Sequence, residues 1–243
     1  MNIENGSHSW SASESVDGYF VREMTMVHRM FRREFLLAPG MVRRVEAGDT
    51  GRVHSVTAHL RFISAILHQH HSSEDGYVWP LLRQRAPLQV DEYVAAVIQQ
   101  HRQVDEVQTQ VDSQLSGWSR GASVESGERL AAALERLTEE LIEHMNYEEQ
   151  HVVPLMQTHI GLEEWNQIVQ TMTIGQDRKR NDTLLVLGMT MYEGDDEIID
   201  KIVERMPSNL RAGIRGTAAL AYAEHAQLMH GTASPPRSTE IRR

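Results

Sequence analysis

One pattern occurs twice in this chain: a His, three residues, a Glu, an acidic neighbour, four residues and a Pro. The copies are His70-His71-Ser72-Ser73-Glu74-Asp75-Gly76-Tyr77-Val78-Trp79-Pro80 and His144-Met145-Asn146-Tyr147-Glu148-Glu149-Gln150-His151-Val152-Val153-Pro154. On a helix, a His and a carboxylate four residues apart lie one above the other on the same face. Apolar residues continue that face in steps of three and four: Leu60, Ile63, Leu67, Tyr77 and Leu81 around the first copy, and Leu130, Leu134, Leu137, Leu141, Val152 and Leu155 around the second. This is the core stripe of a helix in a bundle. His70, Glu74, His144 and Glu148 are therefore expected to point inward, where an ionised Glu costs several kcal/mol unless it is paired or bound to a metal.

The rest of the chain repeats in step with the motif. A helix over residues 16–37 carries Phe20, Met24, Val27, Phe31 and Phe35 on one stripe with His28 among them, and Pro39-Gly40 is expected to end it. A second helix, 52–85, holds the first copy, with a kink or stop near Pro80. The third follows Pro87 and carries Val90, Val94, Val97, His101, Val104, Val111 and Leu115, with Asp105 one turn after His101. A polar loop, 117–127, leads to the fourth helix, about 126–157. His28 precedes His70 by 42 residues and His101 precedes His144 by 43. Two helical hairpins related by a pseudo-twofold axis would bring six side chains to one place in the core, enough for two metal ions.

Composition narrows the chemistry. Zero Cys among 243 residues removes disulfides, thiolate metal sites and cysteine nucleophiles, so any metal is held by N and O. Clustering of the 13 His suits that. A net charge of -10 argues against nucleic acid as a partner. No apolar run reaches the roughly 18 residues of a membrane span. The start is polar rather than a basic and apolar leader, so a cytoplasmic location is expected.

These residues resemble the hemerythrin-like family, whose motif is written His-His-Glu. The likeness rests on residues 27–34 around His28, the segment His70 to Pro80, Gln100-His101, and the segment His144 to Pro154. It implies an all-α fold, an up-down four-helix bundle over 16–160, with two non-haem Fe ions joined by carboxylates and an oxo or hydroxo group. Carried over position by position, His28, His70, Glu74, His101, His144 and Glu148 match the family's ligands, with Glu74 and Glu148 as bridges. The seventh ligand differs: oxygen-carrying members have a second His on the third helix where this chain has Asp105. Other members use the residue after the second-helix His, which is His71 here. We favour His71, since neighbours on a helix point about 100° apart and can serve two metals, with Asp105 as the alternative ligand or a hydrogen-bond partner of one.

Other residues carry blander readings. Asp75 and Glu149 are read as supporting or solvated groups, Glu149 also as a replacement for Glu148. Tyr147 is a core aromatic close to the ligands. His54, His59 and His68 are read as surface residues, His151 as a polar lid or a partly exposed side chain, and His225 and His230 as solvated or as a separate weak site. Arg178-Lys179-Arg180 reads as a surface helix end. Residues 1–15 are expected to be flexible, 161–232 to be a helical extension that packs on the bundle or joins two copies in a homo-oligomer, and 233–243 to be a disordered tail. Three function classes follow from the resemblance: oxygen or peroxide chemistry, including a di-iron oxidoreductase or catalase-like enzyme; O2 or NO binding for sensing, or iron storage, without turnover; and a structural metal-binding bundle.

Overall fold

The computed structural model describes residues 18–174 and 180–241. The stretch 1–15 lies outside them, as do Arg178 and Lys179. Among the described residues the helices are α1 (Tyr19–Arg43), α2 (Thr50–Ser73), α3 (Trp79–Arg85), α4 (Pro87–Gly121), α5 (Val124–His151), α6 (Val153–His159), α7 (Leu162–Ile174), α8 (Arg180–Met191), α9 (Asp196–Arg205), α10 (Ser208–Arg211) and α11 (Ile214–His230). No strand occurs among them. Helices α1, α2, α4 and α5 form the bundle, α1 packing on α2 and α5, and α4 on α2 and α5. Asp49 caps α2 by accepting the Arg52 N–H at 2.9 Å, and Ser123 caps α5 by accepting the Ser126 N–H at 3.2 Å.

Two expected helix ends are absent. α1 runs through Pro39 and Gly40 to Arg43. Pro39 has no N–H for the Phe35 carbonyl, the usual partner four residues back. The Thr138 hydroxyl, 2.7 Å from Leu134 O on its own helix, also lies 3.1 Å from Phe35 O, so α5 shares its one hydrogen with the carbonyl that the proline leaves without a partner. Burial of Ala38, Pro39, Met41 and Val42 against the bundle then holds the last turns of α1 in place. Similarly, α4 continues past Gly117 to Gly121, so only Ala122 and Ser123 separate it from α5, in place of the polar loop 117–127.

The first motif copy contains a π-turn, Glu74–Val78, in which the Trp79 N–H reaches back five residues to Glu74 O. A π-turn inserts one extra residue into the helix. The inward face after Glu74 therefore falls on Val78 and Leu82, both fully buried, instead of Tyr77 and Leu81, and Tyr77 is 47 % exposed. Pro80 sits in the first turn of α3, directly where the chain leaves the π-turn.

The extension packs on the bundle. α8 and α11 lie side by side against α1, and α11 also touches α2. Gly188 permits the close approach: a Cβ there would meet Ala218 O at 2.1 Å. The end expected to be loose is held: the Ser238 N–H and hydroxyl donate to Glu193 Oε2 at 2.9 and 2.6 Å, and the Tyr192 hydroxyl donates to Pro235 O at 2.7 Å. Glu193 is itself fixed by Arg33 at 2.7 Å, and this buried ion pair anchors the segment beyond α11. Among the described residues no helix is long and apolar enough to cross a membrane.

Candidate metal centre

Each bundle helix leaves the apolar pattern at the same level. Met24 and Val97 belong to one apolar cluster, with Val78 and Val152; Phe31, Val104, Leu67 and Leu141 belong to another. His28, His101, His70 with Glu74, and His144 with Glu148 fall between them on the four helices. The polar layer is thus closed by hydrocarbon above and below, and His28, Glu74, His101, His144 and Glu148 are all buried.

Within the layer the side chains form two groups, each with donor atoms within 4.8 Å of one another: His28, His70, Glu74 and Glu148, and then His71, His101 and His144. The carboxylates span both. Glu74 Oε1 lies 3.2 Å from His70 Nε2 and its Oε2 lies 3.6 Å from His101 Nε2. Glu148 Oε2 lies 3.5 Å from both His28 Nε2 and His144 Nε2. His28 and His70 bring their Nε2 atoms to 3.3 Å. All seven residues singled out from the sequence, His71 included, are therefore placed together.

Outer nitrogens are held by the opposite half. His28 Nδ1 lies 2.8 Å from Glu149 Oε1, and His101 Nδ1 lies 3.0 Å from Asp75 Oδ1. The acidic residue after each motif Glu thus orients the lone His of the other hairpin, fixing the tautomer that presents Nε2 to the centre. Arg32 donates to the same Glu149 oxygen at 2.7 Å and to Asn146 Oδ1 at 2.9 Å. Burial acts to raise the Glu149 carboxyl, but the hydrogen bonds with His28 and Arg32 outweigh it and hold the group down to about 2. Gln100 Oε1, 3.4 Å from His144 Nδ1, is a further support. Neither Arg32 nor Gln100 carries a sequence signal of its own beyond its place one turn after His28 or beside His101.

Several expectations need correction. Asp105 does not enter the site: its side chain is 58 % exposed, 4.0 Å from the exposed His68, because one turn beyond His101 the inward position of α4 is taken by buried Val104 and Asp105 falls one residue to its side. Tyr147 packs its ring on His151 at 4.6 Å, and the partly exposed His151 stacks on Tyr93 at 5.1 Å, which places Tyr147 in an aromatic cluster at the edge of the core. Glu149 supports His28 and does not replace Glu148. His59 is 2 % exposed, far from the surface position expected of it.

A cation fits these residues. Both oxygens of Glu74 and of Glu148, with Nε2 of His101 and of His144 and Nδ1 of His71, are buried without a hydrogen-bond partner. Burial, then the charge of Glu148, pushes the Glu74 carboxyl well above the usual range, and burial likewise raises Glu148. Burial, with the neighbouring imidazoles, pushes His70, His71 and His144 down toward the neutral form that binds metals. Five imidazoles around two carboxylates whose oxygens receive no hydrogen bond make a site whose missing component is positive charge. No curated protein and no solved structure matches the chain. Residues 19–164, however, match the family model described as the Hemerythrin HHE cation binding domain. With the match covering more than half of its length and the donors gathered where four helices meet, the chain belongs to the hemerythrin HHE cation-binding domain family.

Proposed function

We propose that this protein is a non-haem di-iron protein that binds or reacts with O2 or peroxide. The observation that carries the reading is the division of the seven donors into two adjoining groups that share Glu74 and Glu148. Two carboxylates that each approach imidazoles of both groups suit a pair of ions better than one. Imidazole and carboxylate donors without thiolate suit iron, with manganese and zinc as less selective competitors. His28 and His70 would serve one ion, and His71, His101 and His144 the other. Two irons would supply electrons to, or share them with, a bound O2 or peroxide.

The chain's own residues set where that ligand enters. With both carboxylates shared, an ion beside His28 and His70 would have one protein donor fewer than an ion beside His71, His101 and His144, so the exchangeable position would lie on the His28 and His70 side. The Phe31 ring sits 5.3 Å from the His70 ring and, with buried Leu67, keeps that side apolar. Glu149 and Arg32 hold His28 from behind without blocking its Nε2. His70, with 16 % of its side chain exposed, is the donor closest to solvent and marks the path for a small molecule.

Metal content by mass spectrometry, followed by the optical spectrum of the reduced protein with O2 or peroxide, tests this. About two irons per chain are expected, with His71→Ala losing iron and Asp105→Ala keeping it. A lasting new band would assign binding, and rapid bleaching with gas release would assign peroxide turnover. A protein that loads no iron, or one whose His71→Ala variant keeps two irons, contradicts the proposal.

A further inference from the structure

A second group of buried nitrogen and oxygen atoms lies between the bundle and the extension. Glu34 on α1, His59 on α2, and His225 and His230 on α11 meet there. Glu34 follows His28 by six residues, and His59 precedes His70 by eleven on the antiparallel neighbour. At about 1.5 Å per residue these steps are about 9 and 16 Å in the same direction, so the group is separate from the first.

The two oxygens of Glu34 have different surroundings. Oε1 accepts from Arg33 Nε at 2.9 Å and from the Tyr222 hydroxyl at 3.1 Å. Oε2 has no hydrogen-bond partner; it faces His59 Nε2 at 3.5 Å and His230 Nε2 at 3.7 Å, and these nitrogens have none either. Glu34, His59 and His230 are each no more than 3 % exposed at the side chain. On the far side of its ring, His59 Nδ1 lies 2.9 Å from His225 Nε2. With the hydrogen on Nδ1, His59 turns a lone pair toward Glu34 Oε2, as His28 and His101 turn theirs toward the first centre once Glu149 and Asp75 hold their outer nitrogens.

Charge argues the same way. Arg33 pairs with both Glu34 and Glu193, so two buried carboxylates face one guanidinium. One carboxylate oxygen and two imidazole nitrogens, all buried, without hydrogen-bond partners and turned to one point, suit a cation.

We infer that Glu34 Oε2, His59 Nε2 and His230 Nε2 form a third metal position, for a divalent first-row transition ion, with His225 orienting His59. The group is more open than the first, and binding draws the two rings toward Glu34, since their centroids stand 6.3 Å apart without the ion. Three protein donors leave a coordination position free, the arrangement of sites that also bind water or a small ligand. Through this ion the last helix would be tied to α1 and α2.

The test is Zn(II) loading of the full chain, dialysis against buffer, and metal analysis per chain, for the native protein and for His230→Gln and His59→Gln. Native protein is expected to hold one equivalent more than either variant, while the iron-loaded variants keep the native optical spectrum of the first centre. Co(II) loading adds a second readout: ligand-field bands present in native protein and missing in His230→Gln. Because His230 lies at the end of the last helix, its variant keeps the test valid if His59→Gln does not fold. If His230 instead carries a proton that pairs with Glu34, native protein and both variants hold the same number of ions and show the same Co(II) spectrum, and the inference is overturned.

Discussion

Replacing Glu74 by Gln should move the stabilities of metal-free and metal-loaded protein in opposite directions. Glu74 is 1 % exposed and neither of its oxygens has a hydrogen-bond partner. Burial, then the Glu148 and Asp75 charges, raises its carboxyl well above the usual range, so the metal-free folded state keeps a proton that the unfolded chain releases. For a carboxyl raised on folding, stability is unaffected below the unfolded pKa of about 4.3 and falls by about 1.4 kcal/mol per pH unit above it. The loss continues until the pH passes the folded value, and by pH 7 it amounts to up to about 3.7 kcal/mol. Gln is neutral in both states and removes it, while an unpaired amide costs about what an unpaired carboxylic acid does. Metal-free Glu74→Gln should therefore gain up to about 3.7 kcal/mol at pH 7 and almost nothing near pH 4. With metal present the sign reverses. Two bound ions, each at 1,000 times its Kd, would stabilise by about 8 kcal/mol, and the variant loses most of this because Glu74 serves both groups. Urea unfolding followed by circular dichroism, with chelator and with anaerobic Fe(II), at both pH values, measures all four quantities. If metal-free Glu74→Gln were less stable than native protein at pH 7, the carboxylate would be satisfied without metal and the reasoning refuted.

Two further outcomes follow from named contacts. Thr138→Val should cost about 1–3 kcal/mol, because Phe35 O then has no donor; adding Pro39→Ala restores an N–H and should recover much of it, and simple additivity in the double-mutant cycle would refute the pairing. Glu149→Gln should weaken iron binding about 10–100-fold in a chelator competition with no loss of helix content, and an unchanged affinity would mean that the His28 to Glu149 contact does not tune the centre.

The donors were legible because each repeats at a fixed helical step. His28, His70, Glu74, His101, His144 and Glu148 interrupt apolar stripes at 42- and 43-residue offsets, and the periodicity of a helix sets which face they share. Side-chain direction beyond that was not legible. Asp75 and Glu149 are next to candidate ligands in sequence, yet each bonds a His of the other hairpin, a pairing that exists only after four helices are assembled.

Local rules failed where the fold supplied a partner from far along the chain. Pro39 and Gly40 signal a helix end, but the Thr138 hydroxyl and a buried final turn carry α1 through them. The π-turn at Glu74–Val78 shifts the inward face by one residue, a change that no periodicity count contains. His59 reads as a surface residue from its own helix because the helix that covers it, α11, lies more than 150 residues later. The sequence by itself determined the all-α class, the bundle and six inward-facing candidate donors, since these depend on spacing within single helices. Only the tertiary structure decided which groups support the candidate donors, that Asp105 faces solvent, and that Glu34, His59 and His230 lie buried together, since each depends on what a distant helix brings to the same place.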